Sequence, residues 1–109
     1  MATELRSGPR LSTSLPVALQ FPEAEPSEGW GRILDISLAG AKIETRCAFK
    51  AGQAVYLTFE ARKEMHLENL RSRVVRVSWE EGYYEAGLTF EDSVDRAYLR
   101  EALIVLMSR

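Results

Sequence analysis

The sequence predicts an all-β domain with a terminal helix: a six-stranded antiparallel β-barrel followed by one C-terminal α-helix. Three observations predict it. Several short segments alternate apolar and polar residues with a period of two, the mark of half-buried strands. Short turn signals separate these segments evenly, as in a closed or nearly closed antiparallel barrel. The last stretch changes to helical spacing.

The first fifteen residues are polar and punctuated by Gly8-Pro9 and by Ser12-Thr13-Ser14. Pro9 removes a backbone donor and disfavours helix before it, so residues 1–15 read as a flexible or extended arm. The barrel domain is then 16–109. Pro16 to Phe21 is the first short strand, and the proline- and glutamate-rich stretch from Pro22 to Glu28 is a loop. Trp30 to Ser37 and Ala41 to Thr45 are two strands joined by the turn Leu38-Ala39-Gly40. After Ala51-Gly52, the residues Val55, Leu57 and Phe59 fall on one face of a strand. In Leu70 to Trp79, the residues Val75, Val77 and Trp79 share a side. Glu81-Gly82 turns the chain into Tyr83 to Phe90, with Tyr84, Ala86, Leu88 and Phe90 inward. From about 92 to 108 the leucines Leu99, Leu103 and Leu106 form a helical stripe. Asp92 or Ser93 is the candidate cap, with Asp95 in the first turn and Arg109 in the last.

At 109 residues, 46% hydrophobic and 28% charged, the chain is one ordinary compact domain. It is long enough to fold without a metal or disulfide staple. The formal net charge of −2 argues against a general nucleic-acid coat. Two local arginines can still bind a small anion whatever the total charge. Cys47 is the sole cysteine, so no internal disulfide is available, which fits a reducing compartment. The N-terminus lacks the apolar run of a signal peptide, and no segment approaches the roughly 20 apolar residues of a bilayer span. The expectation is a soluble, cytoplasmic protein.

Two short patterns carry the chemistry. One is Arg6-x-x-x-Arg10 in the arm, and the other is Asp35-x-Ser37-x-x-Gly40 at a strand end. Read alone, the second pattern also suits a plain turn, with Asp and Ser capping backbone groups and Gly supplying positive φ. Taken together, and with Gly87-Leu88-Thr89-Phe90 in the last strand before the helix, these residues resemble the PilZ domain family over nearly the whole chain. The resemblance implies a six-stranded barrel that receives the bacterial second messenger cyclic di-GMP. It places the nucleotide site on Arg6, Arg10, Asp35, Ser37 and Gly40. Fewer arginines surround the first motif here than in many members, since Leu5 and Ser7 are its neighbours. That suggests one bound nucleotide rather than a stacked pair.

The residue chemistry agrees with that placement. Asp35 and Ser37 are two apart on a strand and are expected on one outer face, with Leu34 and Ile36 pointing into the barrel. A carboxylate can accept from the ring N–H and amino group of guanine, and a hydroxyl can donate or accept. Arginine holds phosphate or the guanine O6/N7 edge with its planar fork and can stack on a base. A mobile arm carrying two arginines could fold over the bound nucleotide and act as a switch.

Other features have plainer readings. His66 and Cys47 lie on different segments, and no Cys/His cluster has zinc spacing, so neither a metal nor a cofactor is expected. A Ser37 nucleophile lacks a base, so the protein is expected not to be an enzyme. Trp79 and Tyr84 are placed in the core or at the barrel edge. Arg71 and Arg73 share one strand face and Arg76 the other, which makes no single basic track, though some could line the ligand's outer side. The helix end Leu103-Ile104-Val105-Leu106-Met107 is apolar nearly all round, which makes a monomer or a weak homodimer the expected state. The functional reading is a cyclic di-GMP receptor that signals to an effector protein. The alternative is a PilZ-like adaptor, related to pili or motility, that binds no nucleotide.

Overall fold

A computed structural model of the chain describes residues 10–24, 27–62 and 65–107. Six strands and one helix run in the order β1 (Leu11–Gln20), β2 (Glu28–Ile36), β3 (Gly40–Thr45), β4 (Ala54–Arg62), β5 (Met65–Glu80), β6 (Tyr83–Phe90) and α1 (Ser93–Met107). The strands form a closed barrel in the order β1-β2-β3-β6-β5-β4, and every pairing is antiparallel. Closure pairs every strand with a neighbour on each side over part of its length, and the buried face of each strand turns inward.

The interior is filled by branched residues at alternate positions. Val17, Leu19, Ile33, Ile36, Ile43, Val55, Leu57, Val74 and Phe90 are each almost wholly buried. The expected strand at Pro16 begins earlier, at Leu11, so Leu11–Leu15 belong to the barrel and not to an arm. This stretch reads as a loop because it is rich in Ser and Thr. It pairs with β2 alone, whereas β1 meets β4 only from Ala18 to Gln20, so its outer flank tolerates polar residues.

Bulges reset the in–out alternation in two places that matter. Leu34 is an extra residue between Ile33 and Asp35 in the β2–β3 ladder, so both Ile33 and Ile36 face the core while Leu34 is only half-buried. The expectation that Leu34 points inward is therefore corrected. Val75 is likewise skipped between Val74 and Arg76 in the β5–β6 ladder. Val74 is the core residue and Val75 is exposed, the reverse of the simple alternation. Beyond this bulge, Trp79 is 62% exposed, not in the core, and meets Tyr84 edge-on at 4.8 Å.

The helix packs on β4 and β5 through buried Leu99, Ala102 and Leu103, with Leu106 partly covered. Asp92 is its N-cap: Oδ1 accepts from the amides of Val94 (2.9 Å) and Asp95 (3.0 Å). Asp95 then accepts from the Arg71 amide at 3.0 Å and its Nε at 3.3 Å, fastening the first turn to β5. Arg109 lies outside the described residues.

The bond from the Asp95 amide, aided by the Arg71 charge, holds the Asp92 carboxyl below its usual value of 3.8, against the opposing effect of desolvation. A depressed carboxyl pKa stabilises the fold above the unfolded value, and that gain is lost as pH falls through the folded value. Asp92→Ala is expected to lower the melting temperature at neutral pH, by an amount that shrinks in the acid range below the usual carboxyl pKa. Melting curves of both proteins across that range check it. Leu99→Ala, which opens a cavity under the helix, is expected to cost about 2–5 kcal/mol in denaturant unfolding.

Candidate functional site

The two sequence motifs meet because β1 pairs with β2. Leu11 lies opposite Ile36 and Ser12 opposite Asp35, so the residue just before β1 arrives beside the end of β2. Arg10 Nη2 stands 3.3 Å from Asp35 Oδ1, with the arginine side chain 53% exposed and the carboxylate 19%. The contact is an ion pair without hydrogen-bond geometry. Asp35 Oδ1 is buried and receives no hydrogen bond among the described residues. Buried carboxylate oxygens normally have a donor, so this one keeps unused acceptor capacity beneath Arg10. Arg6 lies outside the described residues.

Ser37 and Gly40 take a different part from the one the spacing suggests. Ser37 is fully buried, not on an outer face with Asp35. Its Oγ accepts from the Ala39 amide at 3.2 Å and donates to the Gly40 carbonyl at 3.4 Å, and its amide donates to the same carbonyl at 2.8 Å. The strand alternation fails because β2 ends at Ile36 and Ser37 has already entered the turn. Gly40 is not among the described positive-φ glycines, so conformational freedom is not its purpose. A Cβ there would overlap the Leu88 carbonyl and come within 3.2 Å of the Thr89 Cα. Gly40 lets β3 close on β6, and Ala39 supports that join by accepting from the Phe90 amide at 2.9 Å.

Across the barrel's outer face, Asp35 lies in one continuous rung. It pairs with Lys42, Lys42 with Gly87, and Gly87 with Arg76. The Val75 bulge brings Arg76 to the same outer face as Arg71 and Arg73, which corrects the expectation of opposite faces. Arg71 is committed to Asp92 and Asp95, both at 3.3 Å. Arg73 is held by Glu91 at 2.9 Å and donates to the Gly52 carbonyl at 2.9 Å. These contacts raise the pKa of both arginines, chiefly through the hydrogen bonds they donate to Asp95 and Glu91 respectively. Lys42 did not stand out in the sequence; Arg76 did, but on the opposite strand face from Arg71 and Arg73. The doubled valine before Arg76 is the only local hint of the bulge that exposes it.

The charge on this face is uneven. One rung below, Glu44 faces Glu85 and Arg32 faces Glu44. Burial, with the nearby charges of Glu44, Glu80 and Glu85, raises the pKa of the Tyr83 phenol. A groove of about 600 Å³ opens at that end, lined by Trp30, Glu44, Arg46, Cys47, Glu81 and Tyr83 among others. Its carboxylates Glu44 and Glu81 are matched by Arg32 and Arg46, whereas the Asp35 rung carries Lys42 and Arg76, with Arg10 against Asp35 itself. His66 lies elsewhere, 3.5 Å from Glu68 and 4.0 Å from Glu60. Among the described residues no group of three or more His, Cys, Asp or Glu could hold a metal, and no helix is long and apolar enough to cross a membrane.

A closed six-stranded barrel with an arginine entering beside an Asp-x-Ser-x-x-Gly hairpin, and one helix behind, is the architecture of a PilZ domain. The chain belongs to the PilZ domain family, whose model matches residues 4–108. No curated protein matches it in sequence. Among solved structures it resembles the Bacillus subtilis inhibitor of motility MotI/DgrA, with 18% identity and a TM-score of 0.66 over 92% of this chain and 51% of that one. It also resembles MrkH of K. pneumonia in complex with c-di-GMP, with 16% identity and a TM-score of 0.70 over 91% and 50%. A third likeness is the PilZ domain of Escherichia coli YcgR with c-di-GMP, with 14% identity and a TM-score of 0.64 over 87% and 86%. The chain spans about half the length of MotI and MrkH. At these identities the likeness is one of fold.

The division of labour within the hairpin is testable. Ser37→Ala is expected to destabilise the domain by about 1 kcal/mol through loss of the buried turn bonds. Gly40→Ala is expected to cost more, because β3 and β6 must separate to admit the methyl group. Thermal melts and amide exchange at Ala41 and Leu88 read both effects; a Gly40→Ala protein as stable as wild type would remove the close-approach explanation.

Proposed function

We propose that this protein is a receptor for cyclic di-GMP. The observation that carries the reading is the meeting of Arg10 with Asp35, whose buried Oδ1 has no hydrogen-bond donor among the described residues. Guanine offers such a donor set on its Watson–Crick edge, a ring N–H beside an amino group. Arg10 already balances the carboxylate charge. When a guanine edge takes over Asp35, the guanidinium is freed for phosphate or for stacking on the base. Ser37 and Gly40 contribute by fixing the turn, so that the carboxylate is presented at one height above the barrel.

Family membership and the c-di-GMP complexes of MrkH and YcgR support the choice of ligand. In this reading, residues ahead of β1 form the arm, with Arg6 joining Arg10 over the nucleotide. Ordering of that arm changes the surface offered to an effector protein, so the output is contact with a partner and not catalysis. No metal or other cofactor is required. The setting is bacterial signalling in the cytoplasm, with motility and biofilm formation as the natural processes. The protein acts as a monomer or weak homodimer.

Calorimetry tests this directly. Cyclic di-GMP is expected to bind the wild type and to bind Arg10→Ala at least tenfold more weakly, as loss of a charge-assisted contact implies. Asp35→Ala is expected to lose the preference for cyclic di-GMP over cyclic di-AMP. No heat from the wild type at high micromolar nucleotide would refute the receptor and leave a nucleotide-free adaptor.

A further inference from the structure

We infer that Lys42 and Arg76 form a second, cationic contact of the proposed nucleotide site and that they hold a phosphate of a ligand seated at Asp35. The inference rests on the receptor reading and extends it across two further strands. Among the described residues, neither side chain has a hydrogen bond or an ion pair. The other arginines on this part of the barrel are occupied: Arg71 by two carboxylates, Arg73 by Glu91, and Arg32 by Ser14 at 3.2 Å. A cation left over where its neighbours are matched marks a place for an external anion.

The backbone beneath Arg76 is shaped for it. A Cβ on Gly87 would lie 2.9 Å from Arg76 Nη1, 3.0 Å from its Cζ and 3.3 Å from its Cγ. The Arg76 side chain therefore lies against the bare β6 backbone at Gly87, which is buried. Gly87 is also the cross-strand neighbour of Lys42. Lys42 and Arg76 thus flank Gly87 on the outer face, one strand to either side, so an anion lying over Gly87 would meet both cations.

The span fits a two-base ligand. Neighbouring strands lie about 4.8 Å apart, so the Arg76 guanidinium over β6 is roughly 10 Å from Asp35 on β2. A guanine held at Asp35 would place its own phosphate toward Lys42, and a second nucleotide would carry charge on to Arg76. Glu44 and Glu85, one rung below, repel phosphate from that side and keep the ligand on the Asp35 rung. A phosphate contact does not read the base, which separates the role of Arg76 from that of Asp35.

The test is calorimetry with cyclic di-GMP and cyclic di-AMP on wild type, Arg76→Ala, Arg76→Lys and Lys42→Ala, with melting temperatures as a fold control. Arg76→Ala is expected to weaken both nucleotides by roughly tenfold and by the same factor, with melting little changed and Arg76→Lys intermediate. Lys42→Ala is expected to act in the same sense. Wild-type binding with Arg76→Ala unchanged would overturn this contact and leave the receptor reading standing. A change in preference between the two nucleotides in Arg76→Ala would overturn the phosphate assignment. No binding by the wild type would overturn both.

Discussion

The outer face of this barrel depends on the register of β2. Each strand has one face in the core, and Ile33 and Ile36 both occupy it. Simple alternation cannot place residues three apart on one face. The extra residue Leu34 makes it possible and turns Asp35 outward beside Ser12 and Lys42. A one-residue slip would bury the carboxylate and expose Ile36. That exchange costs both apolar burial and the desolvation of a charge, so the register is firmly set. The position of Arg10 follows from the same pairing.

The Asp-x-Ser-x-x-Gly hairpin divides chemistry from architecture. Among the described residues Asp35 keeps an unsatisfied oxygen, while Ser37 is consumed by backbone bonds within the turn. Gly40 is defined by the β6 backbone pressed against it. Three residue types at this spacing therefore play three different structural parts, and only Asp35 keeps unused hydrogen-bonding capacity.

Charge pairing distributes the remaining cations. The chain is slightly acidic overall, with a formal charge of −2. Much of its acid near β5 is spent on fastening the helix and its approach: Asp92 and Asp95 hold Arg71, and Glu91 holds Arg73. These ion pairs are exposed and individually weak. Their collective effect is spatial, because they occupy two arginines of the outer face, whereas Lys42 and Arg76 have no ion pair among the described residues. Glu44, Glu80 and Glu85 gather near Tyr83 at the far end of the sheet, with Arg32 opposite Glu44. The face thus has a direction despite the small net charge.

The period-two segments, the turn glycines and the final leucine stripe were sufficient to specify a six-stranded barrel with a terminal helix. They carry local physics, in which alternation decides strand and spacing decides helix. Arg10 and Asp35 were legible as motif residues, and the pairing of β1 with β2 brings them together. What the chain alone could not settle were the places where local alternation breaks. Bulges at Leu34 and Val75 arise from fitting twisted strands into a closed barrel, so they moved Leu34 and Val75 out of the core and Arg76 onto the outer face. The start of β1 at Leu11, the burial of Ser37 and the steric demand at Gly40 likewise depend on which strand lies alongside. Residue type fixes what a side chain can do, and strand pairing fixes which neighbours it does it with.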